Sequence, residues 1–367
     1  MSSNIFTSES VCAGHPDKIC DSISDSILDE VLRQDPYGRV AIETLVTTNK
    51  VVLAGEITAR AKLNYKKIAQ DRIKDLGFTD SELKFTNKSP VEVCIHEQSR
   101  EIAQGVDQKG AGDQGMMFGY ACGETKSLMP LPIAIAHTLA ERIDAARESK
   151  MLAYLRPDGK TQVSIEYKNG KPYKVFQVVA AVPHIKSVKL AQVSDDIYKK
   201  IIKPTVEEYG FSINKKDVVV NGTGVWHFSG PGADTGVTGR KIIVDTYGGY
   251  ARIGGGAFSG KDPTKVDRSG AYAARYIAKN IVAHKLATKA EVRLAYFIGA
   301  KKPLMQEVET FGTLKVKEKT LKDFMAKLLD TSVAGIIKTL DLRRPIYLAT
   351  SAYGHFGRAE FPWEKIR

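Results

Sequence analysis

Cysteine is sparse, at four residues in 367. Cys12, Cys20, Cys94 and Cys122 form no C-x-x-C pair and stand in no Cys/His metal spacing, so they read as reduced, mostly buried thiols. Long apolar runs are missing too; none approaches the ~20 residues that a membrane-spanning helix needs. The opening stretch MSSNIFTSES has neither a basic region nor an apolar core and does not read as a secretory signal. No low-complexity segment or long linker interrupts the chain. These absences predict a soluble protein of the cytoplasm.

What is present is ordinary globular composition, 43% hydrophobic and 26% charged, on a chain long enough for two or three core-forming units. The net charge of +12 suits either a nucleic-acid binder or an enzyme of small polyanions. The placement of the cations has to decide between them.

A pattern recurs along the chain. Ile23, Ile27, Leu28, Val31 and Leu32 share one helical face, and Asp35-Pro36 stops that helix. Residues 39–48 and 50–59 read as two strands joined by a tight turn at Asn49, and a helix at about 64–76 ends at Gly77. The order repeats with a helix at about 131–147, strands 161–168 and 173–182 around an Asn169-Gly170 turn, and a helix at about 193–209. It repeats again with a helix at about 268–285, strands 292–300 and 305–312, and a helix at about 320–330. Each copy then leads toward one more strand, VEVCI (91–95), DVVVN (217–221) or PIYLAT (345–350). The expectation is an α+β fold of three similar units, each a small mixed sheet with helices packed on one face.

Polar, glycine-flanked clusters interrupt these units. GGGAFSGKDPTKVD, residues 254–267, nearly spells a P-loop, but Asp262 follows Lys261 where Ser or Thr would hold Mg²⁺. Backbone N–H groups of such a turn and a following helix N-terminus attract anions; Asp267 can cap that helix or ligate a cation. In GHPDK (14–18), His15 can donate to a phosphate or leaving oxygen and Asp17 suits a hard cation, unless the segment is only a helix entry. GAGDQG (110–115) is dense in glycine, as a close backbone approach or a surface turn requires. GPGADTGVTGRK (230–241) carries Asp234 and ends in Arg240-Lys241 before a predicted strand IIVD (242–245); that pair suits phosphate oxygens or is a solvated basic patch. Asp158 and Lys160 in LRPDGK read as a turn, and Glu43 and Glu56 as strand carboxylates.

Taken together, GHPDK, GAGDQG, the GRKIIVDTYGG run, GGGAFSGKDPTKVDRS, FTSESV, LRPDGK, YGHFGR and FPWEK resemble the S-adenosylmethionine synthetase family over essentially the whole chain. The resemblance implies three α+β domains with pseudo-threefold symmetry, on segments 3–98, 107–222 and 224–362 whose structural domains interleave. It implies in-line attack of the sulfur of L-methionine on the ribose 5′ carbon of ATP, with triphosphate leaving and then being split to pyrophosphate and phosphate. By the same likeness His15, Lys160, Arg240, Lys241, Lys261 and Lys265 are catalytic. Asp158, Val225, Trp226, Asp234 and Ala257 join His15, Lys160, Arg240, Lys241 and Lys261 at ATP, while Glu56, Gln98, Asp234 and Lys265 take methionine. Asp17 and Asp267 are implied ligands of a pair of Mg²⁺ ions, and Glu43 of K⁺. The implied assembly is a homodimer with active sites at its interface, paired into a dimer of dimers, with no nucleic-acid or membrane partner.

Trp226 stands where the family generally stacks Phe on adenine, and an indole serves the same purpose. Val225 stands where a basic residue is common, and SREIAQGVDQK is a short version of the stretch that resembles the family's lid. Two other classes compete. A P-loop kinase is disfavoured by Asp262 and by the lack of a strand feeding the loop. A nucleic-acid module is disfavoured because the cations cluster with glycines and carboxylates rather than with exposed aromatics.

Overall fold

The computed structural model describes residues 3–97 and 110–367. Strand β1 (Ser3–Val11) leads into helix α1 (Pro16–Gln34), and the hairpin β2 (Arg39–Thr47) and β3 (Lys50–Thr58) follows. α2 (Tyr65–Asp75), β4 (Val91–His96), β5 (Gly115–Cys122) and α3 (Leu131–Glu148) come next. The second hairpin is β6 (Lys160–Lys168) and β7 (Lys171–Ala181). After it, α4 (Leu190–Asp196) runs through a π turn (Ile197–Ile202) into α5 (Lys203–Glu208), then β8 (Val218–Val220) and β9 (Gly236–Val237). The last third holds α6 (Ile242–Asp245), α7 (Val266–Ala283), the hairpin β10 (Lys289–Tyr296) and β11 (Met305–Glu309), α8 (Glu318–Leu328) and α9 (Val333–Thr339).

Among the described residues the strands form three sheets, β4-β3-β2-β9, β1-β6-β7-β8 and β11-β10-β5. One plan underlies all three. The first strand of each hairpin is flanked by an antiparallel strand from elsewhere in the chain: β2 by β9, β6 by β1, β10 by β5. The second strand of the first two hairpins takes a parallel partner, β4 or β8. A long helix covers one face of each sheet: α1 packs on β2, α3 on β1 and β6, and α7 on β5 and β10. The α+β architecture of three similar units is what the periodicity predicts.

Local chemistry explains the hairpins. Asn169 and Gly170 both have positive φ, 52° and 72°, as a two-residue loop with the hand of the strand twist requires. In β2 the residues alternate; Val40, Ile42, Thr44 and Val46 face α1, while Glu43 and Leu45 are exposed. α1 begins at Pro16, whose missing N–H costs nothing in a first turn, and ends where Asp35 turns extended before Pro36.

Two predicted strands are not strands. Residues 242–245 wind into the single turn α6, which turns the Asp245 carboxylate inward to Lys18, 2.5 Å from its ammonium, and leaves Ile243 exposed. PIYLAT (345–350) does not pair either. The Asp29 carboxylate accepts the N–H groups of Tyr347 and Leu348, and the chain enters a 3-10 turn at Leu348–Ser351. The third sheet therefore has one strand fewer than the others. Conversely, the sequence reading did not anticipate β1, β5 or β9.

Candidate active site

The entry to α1 forms the first half of the site. His15 is the N-cap, and its Nδ1 accepts the N–H of Asp17 at 3.2 Å. The ring is buried; burial first, then the neighbouring Lys241 ammonium, depress its pKa to about 3. With Nδ1 accepting, the neutral imidazole carries its proton on Nε2, a donor at any pH near neutrality. Asp17 accepts from Val237 N at 3.0 Å and from Lys241 Nζ at 2.5 Å, with an Arg240 guanidinium nitrogen 4.0 Å away. Burial opposes ionisation of Asp17, but the Lys241 ammonium and the Val237 N–H outweigh it and hold the carboxyl below its usual range. Lys160, the exposed first residue of β6, adds its charge to the field at His15.

The loop 254–265 and the start of α7 form the second half. Lys261 Nζ lies 2.5 Å from Asp267 Oδ2. A Cβ at position 256 would sit 2.0 Å from the carboxyl carbon of Asp267, so any side chain there would have to shift the loop or that carboxylate. Asp267 lies in the first turn of α7, where the helix dipole favours a negative charge. The two halves touch, since a Cβ on Gly239, one residue before Arg240, would meet the methyl of Ala257 at 2.2 Å.

The remaining predicted residues are more dispersed. Lys265 is nearly buried with its ammonium 2.6 Å from Asp262, a fully buried carboxylate that also accepts from Val40 N and Thr264 N. Asp158 is buried beneath the turn at 229–232, accepting from Gly159 N at 2.7 Å and Gly230 N at 3.0 Å; burial pushes its pKa up to about 7. Asp234 and Val225 are exposed, and the half-buried Trp226 donates its indole N–H to Phe228 O. Glu43 and Glu56 lie on the outer face of the β2/β3 hairpin, where Glu56 is 3.3 Å from exposed His96. Gln98 falls outside the described residues.

Among the described residues no cluster of three His, Cys, Asp or Glu side chains forms a ready metal cage. Asp17 and Asp267 are hard oxygen donors of the kind that suits Mg²⁺. No helix among the described residues is long and apolar enough to cross a membrane.

Several residues at the centre of this arrangement escape motif reading. Lys18 is fully buried between Asp21, at 2.8 Å, and Asp245. Burial alone would lower its pKa, but the two carboxylates raise it. Asp25 and Arg268 form a fully buried, two-pronged pair at 2.7 and 2.9 Å. The signal for these was the Asp17, Asp21, Asp25, Asp29 spacing of four, a second stripe on a helix read only for its apolar face.

Comparison with known proteins matches these features in order along the chain. Family models described as the N-terminal, central and C-terminal domains of S-adenosylmethionine synthetase match residues 3–100, 108–226 and 228–365. An S-adenosylmethionine synthase from Desulforudis audaxviator (strain MP104C) is 50% identical over 383 residues, covering 100% of this chain and 97% of the relative. The protein of the same name from Brachyspira hyodysenteriae (strain ATCC 49526 / WA1) is 52% identical over 376 residues, covering 98% and 95%. That from Parafrankia sp. (strain EAN1pec) is 49% identical over 384 residues, covering 99% and 96%. The chain, with its three α+β units and its paired glycine-rich cation loops, belongs to the S-adenosylmethionine synthetase family.

Proposed function

We propose that the protein makes S-adenosylmethionine from ATP and L-methionine as a methionine adenosyltransferase. The observation that carries this is the meeting of two glycine-rich loops at Gly239 and Ala257, each presenting a lysine held by an aspartate: Lys241 by Asp17, Lys261 by Asp267. A polyphosphate fits such a pair of cations better than a single anion does.

Thioether sulfur is already nucleophilic and needs no base. Its lone pair forms the bond to the ribose 5′ carbon as the carbon–oxygen bond breaks and its electrons leave on triphosphate. What this chain must supply is alignment and stabilisation of the charge that develops on the leaving oxygen. Lys160, Arg240, Lys241, Lys261 and Lys265 would hold the triphosphate, and the Nε2–H of His15 would donate to its leaving side. Trp226 and Ala257 would pack against the nucleotide, with Val225 and the buried Asp158 shaping its surroundings. Glu56, Gln98 and Asp234 would orient methionine. Asp17 and Asp267 would hold a pair of Mg²⁺ ions and Glu43 a K⁺; when bound, the divalent ions neutralise triphosphate and polarise it for hydrolysis to pyrophosphate and phosphate.

The working form would be a homodimer with active sites at the interface, two dimers pairing into a tetramer. The exposed Leu45 and Glu43 on the open face of the first sheet support burial by a second copy. Segments 3–98, 107–222 and 224–362 would be its interleaved domains. Four free thiols, three of them buried, fit a cytoplasmic setting.

Purified protein incubated with ATP, methionine, Mg²⁺ and K⁺ and analysed by chromatography and mass tests this reading. S-adenosylmethionine with pyrophosphate and phosphate is expected. ADP, or no methionine-dependent product from a folded and metal-loaded sample, overturns it.

A further inference from the structure

We propose that Asp21 and Asp25 are positioning residues that reference both cationic loops to the single rigid helix α1; this rests on the function proposed above. Asp17, Asp21, Asp25 and Asp29 recur every fourth residue, about 6 Å apart along the axis at 1.5 Å per residue. Each carboxylate accepts a backbone N–H from outside the helix, Asp17 and Asp21 from one loop and Asp25 and Asp29 from two others. Asp17 takes Val237 at 3.0 Å, Asp21 takes Gly239 at 2.8 Å, Asp25 takes Gly260 at 2.8 Å, and Asp29 takes Tyr347 and Leu348, each at 2.9 Å.

The two middle contacts share a design. Gly239 immediately precedes Arg240-Lys241, and Gly260 immediately precedes Lys261. Both glycines have positive φ, 75° and 79°, a sharp turn at which the N–H meets the carboxylate and the cation follows in the next one or two residues. Each carboxylate also grips the far side of its cation through a buried basic side chain. Asp21 binds Lys18, which binds Asp245 beyond Lys241. Asp25 binds Arg268, which directly follows Asp267 and donates to Lys261 O at 3.2 Å. The loop is therefore held before and after each phosphate-facing cation, from positions one helical turn apart. Asp21 and Asp25 are both 0% exposed and touch no open surface, so they act only through the loops they hold.

Asp29 supplies the control: it makes the same kind of bond on the same helix, but to a segment that carries no cation of the site. In the full-length protein, Asp25→Asn is expected to fold and to lose about 100-fold in kcat, the scale of a misplacement near 1 Å, with KM for ATP changed less than about threefold. Asp29→Asn is expected to lower Tm comparably while kcat stays within about threefold of wild type. Combined with Lys261→Ala, Asp25→Asn is expected to cost less than about threefold more, because both act through one ammonium. A kcat within about threefold of wild type for Asp25→Asn overturns the proposal, as do losses that multiply in the double variant. Should Asp25→Asn not fold, Arg268→Lys keeps the charge pair but gives up the fork, and carries the same expectation and the same overturning result. A wild-type protein that forms no S-adenosylmethionine overturns the function instead; an active wild type with an unaffected Asp25→Asn overturns only the positioning role.

Discussion

The Lys261 ammonium lies 2.5 Å from the Asp267 carboxylate, beside a backbone that passes close to the same carboxylate at Gly256. The pair thus holds a cation and a hard anion side by side at one loop; under the function proposed above, substrate phosphate would draw off the one and a metal the other.

Gly256→Ala tests that spacing. A methyl 2.0 Å from the Asp267 carboxyl carbon must displace either the loop or the side chain. The backbone at 256 needs no positive φ, so the fold is expected to survive with little change in Tm. Turnover is expected to fall at least ~10-fold, measured as kcat on purified protein beside a thermal melt.

Lys261→Ala and Asp267→Ala remove the two members in turn. Each is expected to lower kcat by about 10²- to 10³-fold with the far-ultraviolet dichroism unchanged. Near-normal turnover in either variant removes that residue from the catalytic set.

His15 is expected to stay neutral while the pH falls from 8 to 5. Its Cε1–H resonance should show no titration there, because its pKa lies at about 3. Between the unfolded value near 6.5 and 3 the unfolded chain binds the extra proton, so this group's contribution is complete above 6.5 and is lost on acidification. A resonance that moves with a midpoint near 6 contradicts the buried, Lys241-facing ring.

Asp158 behaves oppositely. Its folded pKa of about 7 exceeds the unfolded carboxylate value, so the folded state binds more protons between about 4 and 7 and stability declines as pH rises through that window. Asp158→Asn removes the titration. Relative to wild type, its unfolding free energy is expected to improve by ~2 kcal/mol on going from pH 5 to pH 8, read from urea melts. No pH dependence in that difference contradicts the buried acid.

Removal of divalent metal with a chelator is expected to abolish turnover yet shift Tm by less than about 2 °C, since an ion held largely through substrate phosphates adds little to the folded protein alone. Asp17 and Asp267 are already neutralised by Lys241 and Lys261. A large loss of Tm would instead mark a structural metal.

Much of this was legible from local pattern. The helix ending at Asp35, the Asn169-Gly170 hairpin and the strand pair turning at Asn49 depend on neighbours within a few residues, and all are present. Residues 242–245 and 345–350 have strand composition but are pulled into turns by contacts with Lys18 and Asp29, more than 200 residues away in sequence. Lys261 and Asp267 stand six apart in one motif and do meet, whereas Lys265 in the same motif turns to a buried aspartate.

By itself, then, the sequence determined the long helices and the three hairpins, the repeating order, the glycine-rich loops and the kinds of side chain they carry. These are consequences of backbone propensity and side-chain chemistry over short spans. Only the tertiary structure decided that β1 completes the sheet of β6, that β5 joins β10, and which aspartate of α1 holds which loop. Such pairings join groups separated by about 150 residues or more, and their partners are selected by burial: a carboxylate shut away from water must find a cation or an N–H, and the fold alone determines which one is near.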